Sequence, residues 1–154
     1  MRLVLLVFML GTIFFAAQAD AAFWGKGVED VTAKDGKIII NCSKLNKAQA
    51  WHYRYREGGK VIKFFVVRDK GGVLRTAIDA CEQCWRAGKG YRMAEDGFML
   101  CVNCGMKFAL NRIGAVAGGC NPHPFQYSVE NDSVVIETQE LVQEGVRYFP
   151  ENLR

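Results

Sequence analysis

The sequence predicts a mostly β domain of short strands, preceded by an N-terminal export segment. Three observations carry this. Beyond residue 19 no stretch holds a long, clean 3.6-residue apolar period, so no long helix is expected. Short β-branched and aromatic runs recur instead, one of them alternating with period two. Clusters of Gly, Asn and Asp separate these runs and mark turns. The length, 154 residues, suits one domain with an ordinary core. With 50% hydrophobic and 23% charged residues the composition is globular. The formal charge of +4 is scattered, without a basic block, which argues against nucleic acid as a partner.

Arg2 is followed by "LVLLVFMLGTIFFAAQA", uncharged from Leu3 to Ala19. A basic start, an apolar run and small residues at Ala17 and Ala19 form a secretory signal, with cleavage expected between Ala19 and Asp20. An uncleaved anchor is the alternative, because the run is near the lower limit of about 17 residues for spanning a bilayer. Either reading places the domain outside the cytoplasmic membrane. Arg2 stands alone, so the twin-arginine route for folded cargo is not indicated. Residues 20–35 read as a linker or loose arm, and 36–154 as the domain.

Within the domain, "GKIIINC" (36–42) reads as a strand and "AWHYRYR" (50–56) as a half-buried strand. "EGGK" turns the chain into "VIKFFVVRD" (61–69), where Phe64, Phe65, Val66 and Val67 do not alternate and look like core. "KGG" then leads to "VLRTAID" (73–79), a hairpin partner that delivers Cys81 at its end. "FML" (98–100) and "KFALN" (107–111) are short strands, and 114–124 is a Gly/Pro loop. "FQYSV" (125–129), the turn "ENDS" and "VVIET" (134–138) form a last hairpin. "QELVQEGVRYF" has room for a helical turn.

Four of the six cysteines form two Cys-x-x-Cys turns, Cys81/Cys84 and Cys101/Cys104, with sixteen residues between them. Two such turns with a spacer of about 15–20 residues are a metal signal. In each turn both sulfurs point to one side, with backbone N–H groups aimed at them. Two facing turns therefore build a four-sulfur cage. Gly105 follows Cys104 and permits the positive φ of a metal knuckle. Three occupants compete: structural zinc, a two-iron two-sulfur cluster, or disulfides, since exported thiols are usually oxidised. Met93, Met99 and Met106 flank the cysteines and bring Cu(I) into consideration, though core filling also explains them.

The run "FFVVRD…VLRTAIDACEQC…KGYRM…CVNCGMKF…GGCNP" resembles the FtrD-like membrane iron–sulfur protein family over residues 36–138. The resemblance implies an iron–sulfur centre, electron transfer, and membrane-associated redox or iron-transport partners. The order of strand, hairpin, Cys turn, spacer, second Cys turn and Pro loop is also similar to a Rieske domain. It implies a small Rieske-like β-sandwich in which "GGCNPHPF" (118–125) covers the site. Rieske domains ligate one iron through two histidines, whereas Cys84 and Cys104 stand at those positions here. An all-thiolate centre is expected to have a lower potential than the about −150 to +300 mV of Rieske centres.

Several residues carry two readings. Cys120 is either part of the site, as a replacement ligand or close neighbour, or a disulfide partner of Cys42. Cys42 itself reads as a packed or surface thiol. His123, three residues after Cys120, is either a ligand or an ordinary loop histidine, and His52 reads as a strand position. Trp85 either shields the site or anchors the fold. Asp79, Glu82, Glu95 and Asp96 show no pairing for acid–base catalysis, and no nucleophile–histidine arrangement or phosphate loop is present, so a non-enzymatic role is expected. One argument opposes the cluster: a chain threaded unfolded through a membrane cannot bring a finished one with it, which favours zinc or another simple ion.

Overall fold

The computed structural model describes residues 27–150, so the expected export segment lies outside the described residues. Among the described residues ten strands build three small sheets, accompanied by one short α-helix. The central sheet has the order β1 (Glu29–Val31), β3 (Ala50–Glu57), β4 (Lys60–Arg68), β5 (Leu74–Ile78). A second sheet pairs β2 (Lys37–Asn41), β10 (Ser133–Glu137) and β9 (Ser128–Glu130). The third is a meander of β6 (Tyr91–Met93), β7 (Phe98–Cys101) and β8 (Lys107–Ala109). Helix α1 (Thr138–Gly145) follows β10. The mostly β class is thus confirmed. No helix among the described residues is long and apolar enough to cross a membrane.

β4 is the organising strand. It pairs antiparallel with both β3 and β5, and its side chains alternate between two cores. Ile62, Phe64 and Val66 enter the first core with Ile38, Ile40, Val134, Ile136 and Leu141, between the central sheet and the β2–β10–β9 sheet with α1. Phe65 and Val67 enter the second with Ala77, Tyr91, Met99 and Cys101, under the meander. The missing alternation in "FFVV" follows directly: a strand covered on both faces is apolar at every position. In β3 the alternation is real, since Tyr53 and Tyr55 are buried while their neighbours are partly exposed.

The structure departs from the sequence reading at several places, among them "KFALN", whose strand ends at Ala109 before a 3-10 turn at Leu110–Arg112. Part of the stretch read as a linker forms β1, which pairs parallel with β3 through Glu29↔Tyr53 to Val31↔Tyr55. "YRM" adds β6 beside β7, with Tyr91 opposite Cys101. The expected strand over 125–129 shortens to a pairing that begins at Ser128, because Phe125 and Tyr127 pack as side chains around the first core.

Candidate metal centre

Three chain segments converge at one end of the second core. The first Cys turn leaves β5: Cys81 forms a one-residue antiparallel bridge with Pro122, and Cys84 caps a 3-10 turn at Trp85–Ala87. The second closes between β7 and β8. There the Gly105 N–H donates to the Cys101 carbonyl at 2.9 Å, and Gly105 adopts φ 75°. The expected positive φ at this position is therefore present. The third segment carries Cys120 behind Gly118 and Gly119, at φ 88° and 62°. It is tied to β5 by the Ile78 N–H, which donates to the His123 carbonyl at 2.9 Å.

Five sulfurs meet here. Those of Cys81, Cys84 and Cys101 lie within 4.8 Å of one another, as do those of Cys84, Cys104 and Cys120. All six cysteines are free thiols. Cys42 takes no part: it is fully buried in the first core, where its thiol donates to the Ile40 carbonyl at 3.3 Å. The Cys42–Cys120 disulfide is thus not formed, because the two residues belong to different cores. Cys81 and Cys101 are buried, Cys84 and Cys120 are partly exposed, and Cys104 is exposed.

The donor set suits a soft metal or an iron–sulfur centre, since every atom offered is a thiol sulfur and backbone N–H groups point at these sulfurs. The Cys84 N–H donates to Cys81 Sγ at 3.2 Å. Burial raises the Cys81 thiol pKa, but the N–H groups of Cys84 and Gln83 and the thiols of Cys84 and Cys120 outweigh it, so the net shift is downward. Cys104 is lowered chiefly by the Met106 N–H. Burial dominates at Cys101, pushed up to about 12, and also raises Cys120. In this site burial and the backbone N–H groups therefore pull the thiols in opposite directions, toward the thiolate at Cys81 and Cys104 and toward the thiol at Cys101 and Cys120.

Tyr91, in "KGYRM", is a site residue that sequence reasoning missed. It is buried between Phe65 and Phe108, with ring centroids 6.0 Å and 5.9 Å away. Its hydroxyl donates to the Cys120 carbonyl at 2.5 Å. Burial drives its pKa upward, as do the charge of Cys81 and a hydrogen bond with that thiol, so the phenol stays protonated. Its N–H donates to Asp79 Oδ1 at 2.7 Å, while Asp79 Oδ2 meets His52 Nδ1 at 3.0 Å. His52 therefore sits on its strand, as expected, with a partner that its alternation could not reveal.

Glu82, between the two cysteines of the first turn, accepts the Gly118 N–H at 3.0 Å and meets His123 Nδ1 at 2.9 Å. Burial raises its pKa, but the Gly118 N–H and His123 bring it below the usual carboxylate range. His123 Nε2 meets Glu144 of α1 at 2.8 Å. Both ring nitrogens are engaged by carboxylates, so His123 braces the third loop and is not placed as a ligand. Trp85 packs against the first core, edge-on to Tyr148 at 6.5 Å, which makes it an anchor. Met99 is core, Met93 packs beside it, and Met106 is exposed.

A β domain with three loops presenting five convergent thiols fits metal binding. The family model described as membrane iron–sulfur containing protein, FtrD-like, matches residues 45–149. The chain belongs to this family. Comparisons with curated proteins and with solved structures returned no match.

Proposed function

We propose that this protein is an exported electron carrier with an iron–sulfur centre, serving a membrane-associated iron-transport or respiratory system. The convergence of the Cys81, Cys84, Cys101, Cys104 and Cys120 sulfurs at one end of the second core carries the reading. In it Cys81, Cys84, Cys101 and Cys104 are the four ligands of a two-iron two-sulfur cluster, and Cys120 stands beside them. When bound, such a centre supplies one-electron transfer.

The chain's own residues would set the conditions for it. The N–H groups at Cys81, Cys101 and Cys104 stabilise thiolate charge. Phe65, Tyr91, Met99 and Phe108 close the inner side to water. Exposed Cys104 marks the edge nearest a redox partner. The brace through Glu82, His123 and Glu144 holds the Pro loop against the first Cys turn. Two Cys turns at strand ends facing a Pro loop support reading the architecture as Rieske-like. The family description supports placement at a membrane, and the N-terminal sequence supports export to its outer side.

Anaerobic purification of the full chain from its native host tests this. Matching iron and acid-labile sulfide, a brown colour and a reduced-state paramagnetic signal are expected, with a potential below the about −150 mV floor of Rieske centres. A colourless protein holding zinc would instead assign the thiols to locking the fold, and colourless copper-loaded protein would mark a carrier.

A further inference from the structure

The five sulfurs divide into two triads that share one residue. Cys81, Cys84 and Cys101 form an inner triad, and Cys84, Cys104 and Cys120 an outer one. The triads differ in access. Cys81 and Cys101 are 2% and 1% exposed, whereas Cys104 is exposed and Cys120 partly so. Their backbones differ too. Cys81 is bridged to Pro122 at the end of β5, and Cys101 is the last residue of β7. Cys104 is followed by Gly105, and Cys120 is preceded by Gly118 and Gly119. At all three glycines a side chain would meet open space. An ion arriving from solvent therefore meets the sulfurs of Cys84, Cys104 and Cys120 before the buried ones of Cys81 and Cys101.

We propose that the outer triad, Cys84–Cys104–Cys120, captures a thiophilic metal ion from solvent and passes it inward by pivoting on Cys84. The inference rests on the reading of these thiols as metal ligands. Three thiolates suit soft cations and give hard ones little affinity. Because Cys84 belongs to both triads, the ion keeps one metal–sulfur bond throughout. The bonds to Cys104 and Cys120 break as bonds to Cys81 and Cys101 form. Each arriving thiol gives up a proton and each departing thiolate takes one, so charge balances and no electron moves. Cys104 can then return as fourth ligand, which leaves Cys120 as the residue whose work is capture.

The test uses the full chain, purified anaerobically and stripped of metal, with Cd(II) as the probe. Stopped-flow absorbance in the thiolate-to-metal charge-transfer band follows loading. Two phases are expected in the unaltered protein. Cys120→Ser and Cys120→Ala should slow the first about tenfold or more, without changing the final Cd(II) content. Cys81→Ser should keep the first phase and lose the second, and Cys42→Ser should change neither. Circular dichroism of each variant confirms that it folds. Loading of both Cys120 variants at the unaltered rate would overturn the proposal, as would loss of the first phase in Cys81→Ser. Failure of the unaltered protein to bind Cd(II) would overturn it together with the metal-centre reading. Native protein rich in iron and sulfide whose Cys120 variants load at full rate would overturn this inference alone.

Discussion

Glu82 Oε1 lies 2.9 Å from His123 Nδ1, and this pair joins the middle of the first Cys turn to the Pro loop 41 residues along the chain. Both side chains are largely sequestered, at 17% and 10% exposure. His123→Ala removes the brace, while Glu82 keeps the Gly118 N–H and Glu144, 30% exposed, turns to solvent. A loss of about 1 kcal/mol is expected from urea unfolding, the usual net contribution of a hydrogen bond. Unchanged stability would show that the loop is held by its backbone contacts alone.

Tyr91→Phe deletes the hydroxyl that donates to the Cys120 carbonyl while keeping the ring between Phe65 and Phe108. Stability should fall by about 1–2 kcal/mol. The visible spectrum or potential of the metal-loaded protein should shift as well, because the hydroxyl holds the Cys120 backbone beside the convergent thiols. A spectrum identical to that of the unaltered protein would reduce Tyr91 to a packing role.

Gly90→Ala is expected to be among the most damaging single changes. A β-carbon there would come within 2.5 Å of Asp79 Oδ1, and the residue sits at φ 62°. Relief requires moving Asp79, which holds both the Tyr91 N–H and His52. A loss above about 2 kcal/mol, seen as a lowered melting temperature or insoluble protein, is expected from steric and backbone strain together.

Asp69 gives the fold an acid limit. It is buried at the end of β4, accepts the Val73 N–H at 3.0 Å and pairs with Arg75 at 2.9 Å. Burial raises its pKa, but Arg75 and the backbone N–H groups win and bring it below the ordinary 3.8. A carboxyl lowered by folding contributes its full stability above its unfolded pKa and loses it as pH falls through the folded one. The urea midpoint should therefore drop below pH 3.8 through this group. In Asp69→Asn the baseline should be lower at neutral pH and that part of the acid loss absent.

Cys42→Ala should leave metal content and spectrum unchanged, because its sulfur lies in the first core and the five convergent sulfurs at the second. A modest loss of about 1 kcal/mol is expected for the deleted buried sulfur. Loss of metal in this variant would contradict the separation of the two cores.

The strand pattern was legible because the runs are short, β-branched and bounded by Gly or Asn/Asp turns, as at Val61–Asp69 and its partner Val73–Asp79. The two Cys-x-x-Cys turns were equally legible, since their spacing is a local property of the chain. What lay beyond the sequence is what folding brings together from afar. Tyr91 reads as one aromatic after a Gly, and only the pairing of β6 with β7 sets it opposite Cys101. Glu82 shows no pairing in the sequence, and only folding brings His123 beside it. Cys120 had two possible destinations, and the choice depended on which core the Pro loop joins. Strand β1 was hidden because three residues, "EDV", pair by their backbones and bring few apolar side chains.

β4 is a party wall. Phe64 and Phe65 are consecutive, both fully buried, and face opposite rooms. Neither half can melt while leaving the other its boundary, so the thiol end and the helix end should rise and fall as one cooperative unit. Filling the site with metal would then tighten amide protons as far away as Ile136 and Leu141, through nothing longer than the thickness of one strand.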